Sequence, residues 1–447
     1  MLLIGLMMPL MMRVIDISMF RVALPTIRQD FGIPADVTAW LDTVYTVPFI
    51  IFMPLYGRLG DGVEKFQLFL TGITVFLIGT VVTLSAIDLR FLIVGRILQG
   101  MGAAEIHPLS LSIISERIPL EKRGSALGTW SSSGALIGMV GPLGGGILIA
   151  LWGWRMIFGP VLLIGGIALL VVQKQARSIP QKVIQKSFLR TFDWGGVLLL
   201  STSTIVLVFY ASSRPITGVA ALQDWRLFIL ALLLFGGFLI QEMRHPNPFV
   251  ALDIFTNKNF SLASIGAGIR KFAVNSVDFL IPLYLIDIHR LNIATVGGIM
   301  TFQSVAILTT MRVGGQLADR WGSRWPVVIG SLIQSGMMVY FAVLSDTAPL
   351  VWIILGLTGH GLGAGLTLAA LDRSSIATIP LEKRGVAAGL YQMICFSGVA
   401  LGVALEGVLL QYGLERTTVT IAAYQLVFWC IAGVVFLGVI SAWGVEK

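Results

Sequence analysis

Charge is scarce in this chain: of 447 residues only 12% are Asp, Glu, Lys or Arg, and 56% are hydrophobic. A soluble globular protein carries roughly 25% charged residues, so with a mean hydropathy of +0.88 a water-soluble fold is excluded. Cysteine is nearly absent. Cys395 and Cys430 both fall in apolar runs, where neither a disulfide framework nor a thiolate metal site is implied. No lysine follows a glycine, which excludes a phosphate-cradling GK[ST] loop, and neither HExxH nor CxxC occurs. No nucleotide-driven step, no cofactor, no metal and no enzymatic chemistry are therefore expected. The formal charge of +8 comes from basic residues in short loops between apolar runs. They read as topology signals and not as a nucleic-acid-binding face. The opening run MLLIGLMMPLMM lacks a basic n-region and a small-residue cleavage site, so it is read as a retained span. Met1 lies close enough to it to leave room for a short missing cytoplasmic tail.

What is present is a duplication. IPLEKRG occurs at Ile118–Gly124 and again at Ile379–Gly385, and GRLGD at Gly57–Asp61 answers GQLAD at Gly315–Asp319, at offsets of 261 and 258 residues. Parallel repeats in apolar sequence point to a transporter with its site between two homologous halves.

Apolar runs of the length needed to cross a bilayer lie at roughly 2–24, 38–56, 67–86, 91–115, 124–151 and 155–173, then 194–212 and 226–243, then 260–286, 292–313, 326–345, 349–371, 385–410 and 420–443. The expected fold is all-α and integral to the membrane, with fourteen spans. Residues 1–173 form an N-terminal six-helix bundle, 174–259 a basic cytoplasmic segment with two extra spans, and 260–447 a C-terminal six-helix bundle. Among the loops, lysine occurs only in those after even-numbered spans. By the positive-inside rule both termini and both IPLEKRG loops are cytoplasmic, in a plasma or bacterial inner membrane.

Ionisable residues inside spans cost about 2.5 to 3.5 kcal/mol each at a helix centre. They cluster: Arg13, Asp16 and Arg21 in span 1, Arg96, Glu105 and His107 in span 4, Arg270, Lys271 and Asp278 in span 9, and Glu406 in span 13. Spans 1 and 9 are repeat mates, and each places a basic group shortly before an acid. Arg13 and Asp16 lie about 60° apart around a helix and Lys271 and Asp278 about 20°. One reading is self-neutralising intrahelical pairs; the other is that Asp16 and Asp278 face a polar cavity and accept protons or substrate. Arg96 stays charged at any working pH and is expected to pair with Asp16. At 100° per residue Arg96, Gly100, Ala103 and His107 share a face and Glu105 lies opposite. His107 is either a titrating group or a satisfied interfacial donor.

Span 5 carries Gly134, Gly138, Gly141, Pro142 and Gly145, a smooth face for close helix contact with a helix-bending proline. The loop Gly57–Lys65 makes a tight connection in which Asp61 is expected to bond a helix N-terminus or a loop arginine, forming a cytoplasmic latch.

These residues resemble the major facilitator superfamily, and within it the fourteen-span drug/proton antiporter branch, over nearly the whole chain. Gly57–Lys65 is similar to the superfamily's loop between spans 2 and 3, Arg96–Gly100 to its RxxQG motif, Gly138–Gly145 to the antiporter motif of span 5, and DISMFRVALP (Asp16–Pro25) to the span-1 motif of the branch. WGWR (Trp152–Arg155) and FDWGG (Phe192–Gly196) resemble further pieces. The resemblance implies alternating access by two rocking bundles and export of amphipathic organic compounds against protons, by a protein functional as a monomer in the lipid bilayer. It places Asp16 and Arg96 in the proton-coupling region and Glu406 as a further proton or substrate site. The pattern of buried charges itself adds Asp278 to the proton-coupling candidates and Arg13, Glu105, His107, Arg270 and Lys271 to the expected substrate cavity. Gly57, Asp61, Lys65, Arg123, Gly315, Asp319, Arg320 and Arg384 fall to the latch. The first loop has Gly62 and Glu64 where the family prefers Arg and Gly, whereas the second keeps Arg320 and Gly322. The basic residues of the cavity make anionic, lipid-like or metabolite substrates the alternative to a lipophilic cation.

Overall fold

The computed structural model describes residues 2–177, 192–212, 224–246, 248, 250, 252–377, 379, 384–417 and 419–444. Fifteen α-helices run through them: α1 Leu2–Phe31, α2 Ala35–Gly62, α3 Lys65–Leu84, α4 Leu89–Ala103, α5 Ile106–Arg117, α6 Leu120–Trp152, α7 Phe158–Arg177, α8 Trp194–Ser212, α9 Trp225–Arg244, α10 Lys258–Asp287, α11 Ile293–Trp321, α12 Arg324–Val343, α13 Leu350–Ala377, α14 Arg384–Arg416 and α15 Thr420–Trp443. Twelve are long and apolar enough to cross a membrane. The other two expected passes are α10, whose charges set it apart, and α4 with α5, a single pass broken in two. Of the basic central segment, Lys174 and Arg177 close α7, while Lys182, Lys186 and Arg190 lie outside the described residues.

The break corrects the uniform helical phase assumed for span 4. α4 ends at Ala103, Ala104 and Glu105 form a turn, and α5 begins at Ile106. Pro108 has no N–H to give the Ala104 carbonyl, and its ring crowds that carbonyl. Pro142, by contrast, stands inside an unbroken α6.

Helix starts follow from capping side chains, which accept from otherwise unpaired backbone amides. Asp88 accepts from the Arg90 and Phe91 amides at 2.9 and 3.1 Å, Asn257 from Phe260 at 3.0 Å, and Asn292 from Thr295 at 2.9 Å. In FDWGG, Asp193 accepts from the Gly196 amide at 2.8 Å and from the Gln241 amide group at 2.9 Å, which ties the start of α8 to the end of α9. The two loop motifs differ in backbone: Gly322 closes α11 with φ 78°, a left-handed value that favours glycine, whereas Glu64 sits at φ −64° and caps α3 through the Gln67 amide.

By contact the chain groups into two compact units. One comprises Met1–Ile17, Leu41–Gly138 and Arg155–Leu252; the other comprises Ser18–Trp40, Met139–Trp154 and Asp253–Lys447. Within each, helices bury aromatic and aliphatic side chains such as Phe69 and Phe76, or Phe279 and Phe428. Leu163, Leu198 and Leu233 remain 67–68% exposed. Unpartnered leucines on helices long enough to span are what a hydrocarbon solvent accommodates.

Candidate functional site

The first unit holds a closed polar network at the middle of α4. Close backbone approach places it: a methyl group built on Gly79 would lie 2.7 Å from the Gln99 amide nitrogen, and one on Gly95 2.9 Å from the Gly79 carbonyl. With α3 and α4 this near, the Gln99 amide group donates to the Thr80 hydroxyl at 3.0 Å and to Asp16 Oδ1 at 3.0 Å. Arg96 Nη1 donates to Asp16 Oδ2 at 2.9 Å and to Gln99 Oε1 at 3.0 Å. The guanidinium lies 4.3 Å from the Tyr45 ring centroid, and the side chains of Arg96 and Asp16 are both 0% exposed. Gly100 makes room for α2, since any Cβ there would overlap the Tyr45 carbonyl.

Asp16 is thus held by Arg96 and Gln99 of another helix rather than by Arg13 of its own. Arg13 is buried, its guanidinium 5.3 Å from the Phe49 ring centroid. Glu105 and His107 are not brought to this network. Glu105 packs its carboxyl against Gly72 of α3, and His107 meets the Trp130 ring edge-on at 5.1 Å.

In the second unit Asp278 accepts from Arg21 at 3.1 Å, and Asp287 from Arg28 at 2.8 Å and the Tyr424 hydroxyl at 2.7 Å. The Ser276 hydroxyl donates to Glu406, which is buried. Lys271 Nζ lies 5.2 Å from the Phe396 ring centroid, and Arg270 is 7% exposed.

The glycines of α6 face α1. Methyl groups built on Gly134, Gly138 and Gly145 would meet Leu10, Val14 and Met19 at 3.2, 3.4 and 3.1 Å, and one on Gly141 would overlap Ser18. Contact positions rise together along both helices, so the two run parallel. The Pro142 carbonyl packs against Gly297 of α11.

Of the loop residues, Lys65 pairs with Glu116, and Asp319 with Arg373 at 2.9 Å. Arg373 also donates to the Ala318 carbonyl, a role the sequence reading left out. Arg320 is exposed, Gly57 approaches Pro108 and Gly315 approaches Ala369. The side chains of Asp61, Arg123 and Arg384 lie outside what is described.

Sequence reasoning named the RxxQG stretch but gave Gln99 no role, and it passed over His360 and Gln334. Their side chains meet at 3.3 Å, both buried, in the second unit. Laying the halves over one another at the 261-residue offset puts His360 on Gln99 and Gly361 on Gly100, a signal that was present in the sequence.

Among proteins of known kind, the chain is 28% identical over 439 residues to the riboflavin transporter RibZ of Clostridioides difficile, covering 96% of this chain and 93% of that one. It is 30% identical over 395 residues to the quinolone resistance protein NorB of Staphylococcus aureus strain JH9, covering 86% and 82%. Solved structures with the same fold include a bacterial homologue of the human lysosomal transporter Spinster, inward-facing and unoccupied, at TM-score 0.66 and 15% identity over 100% of this chain and 98% of that one. The nucleoside transporter NupG follows at TM-score 0.64 and 13% identity, over 100% of both chains. The sequence profile of the Major Facilitator Superfamily matches residues 6–269 and 263–446, once for each repeat, and the chain is a membrane-integral transporter of that superfamily and not an enzyme.

Proposed function

We propose that this transporter exports amphipathic organic compounds in exchange for protons, with Asp16 as the principal proton carrier. The observation that supports this reading most is the Arg96–Asp16 pair, fully withdrawn from solvent and completed by Gln99 and Thr80. A carboxylate paired with a permanent cation changes the balance of the whole network when it gains or loses a proton. Substrate binding that disturbs Arg96 would therefore release or admit a proton at Asp16. Glu406 and Asp278 are secondary candidates, each already bonded to a neighbouring helix.

With the first span starting in the cytoplasm, Arg21–Asp278 and Arg28–Asp287 lie towards the outer side, and alternating access has to break them. At the cytoplasmic ends Lys65–Glu116 and Arg373–Asp319 serve as the latch. Both termini then face the cytoplasm of a plasma or bacterial inner membrane, the two repeats move as six-helix bundles, and the transporting unit is a monomer in lipid. Similarity to a quinolone resistance protein and to a multidrug resistance protein of Bacillus subtilis supports drugs as cargo. Similarity to a riboflavin transporter over 96% of the chain supports a metabolite as the second reading.

The test is purified protein in liposomes with an imposed pH gradient, comparing wild type with Asp16→Asn over a panel of cationic, anionic and lipid-like compounds. Proton antiport requires that some compound collapse the gradient only when Asp16 is present. Equal movement by the variant, or equal movement without a gradient, leaves a facilitator.

A further inference from the structure

The second unit contains a buried cation with no ion-pair partner among the described residues. Arg270, about 18 Å into α10 at 1.5 Å per residue, is 7% exposed, its Nε has no hydrogen-bond partner, and among the described residues it makes no ion pair. Its helix neighbour Lys271 lies over the Phe396 ring at 5.2 Å. From α13 and α14, Asp372, Tyr391 and Cys395 face the pair within electrostatic range. Asp372 is itself engaged, accepting from the Tyr391 hydroxyl at 2.7 Å. The carboxylate whose field reaches Arg270 thus already has a donor of its own.

An isolated guanidinium withdrawn from water is costly, and a protein that keeps one normally supplies a counter-ion. Here Asp372 reaches Arg270 through its field alone, with no ion-pair contact between them. We propose that Arg270 and Lys271 bind the oxyanion of an aromatic substrate such as a carboxylate or sulfonate, while the rings of Phe396 and Tyr391 receive its apolar part. The planar guanidinium fork matches two oxygens of such a group. Asp372 serves as the resident counter-charge of the empty site. Read with the second span of each repeat returning to the cytoplasm, the cluster lies towards the cytoplasmic ends of α10, α13 and α14, where an exporter loads. The inference rests on the exporter reading for its place in the cycle but not for its chemistry.

Equilibrium binding to purified protein in nanodiscs, without any gradient, tests it with three matched probes: 2-naphthoate, 2-naphthamide and trimethyl(2-naphthylmethyl)ammonium. Wild type should bind the carboxylate at least tenfold more tightly than either other probe. Arg270→Gln should level the three, Arg270→Lys should restore part of the preference, and unchanged amide affinity shows that the site still folds. Should Arg270→Gln fail to fold, Lys271→Gln must by itself lower the carboxylate preference severalfold. Equal affinity for carboxylate and amide in wild type, binding of none of the three, or a preference that survives these variants overturns the proposal. Asp16→Asn separates the two readings: transport that survives it while carboxylate preference holds sinks proton coupling alone.

Discussion

The two repeats build the same scaffold and put different chemistry on it. In the first, Gly100 lies under the Tyr45 carbonyl; in the second, Gly361 lies under the Gln303 carbonyl, at the equivalent positions. Beside these glycines Gln99 donates to Thr80 in one half and His360 meets Gln334 in the other. Three residues earlier the halves part. Arg96 has Leu357 as its repeat mate, so the pair that holds Asp16 is not repeated at that position. Asp278, its nearest analogue, takes Arg21 of α1 instead, with its side chain 30% exposed where that of Asp16 is 0%. Duplication thus preserved the close backbone approaches and left the side chains between them free to differ.

The comparison breaks most sharply at Arg96. Arg96→Met leaves Asp16 charged and buried without its partner, which costs about 3 to 5 kcal/mol. Thermal unfolding in detergent and transport in liposomes should both collapse, whereas Leu357→Met in the second repeat should change neither measurably. The shared scaffold predicts the next effect: Gly100→Ala and Gly361→Ala each drive a methyl into a carbonyl and should destabilise by similar amounts, about 1 to 3 kcal/mol. A large effect in one half only would show that the two glycines are not equivalent.

Smaller still is the expected cost at Asp278, whose partly exposed pair is worth about 1 kcal/mol or less. A double-mutant cycle with Arg21→Gln and Asp278→Asn measures it, and coupling as strong as that between Arg96 and Asp16 would erase the contrast between the halves. The smallest effect belongs to His289, in the loop between α10 and α11. Burial holds its imidazole below the usual value, only partly offset by the field of Asp346. The fold therefore favours the neutral ring, and stability present above the ordinary imidazole pKa declines as pH falls through it. Unfolding curves between pH 8 and pH 5 should shift less for His289→Gln than for wild type.

Much of the fold was legible because a bilayer admits few solutions: every backbone amide needs an internal partner, so long apolar runs must be helices. The broken fourth span was missed, although Pro108 was in view, because one angle per residue was carried through a proline. Arg96 and Asp16 could be matched from their isolation in apolar sequence, which makes any partner valuable. Arg28–Asp287–Tyr424 could not, since residues near span ends have loops and water as alternatives.

The sequence by itself determined the duplication, the number of passes, the superfamily and the short list of buried charges, because each is written in periodicity, length or identity along one chain. Which acid each base meets was decided only by tertiary structure. Positions such as Asp16 and Arg96, 80 residues apart, become neighbours through helix packing that glycines like Gly79 and Gly95 permit. In the low dielectric of the interior a contact of 2.9 Å and its absence are different proteins.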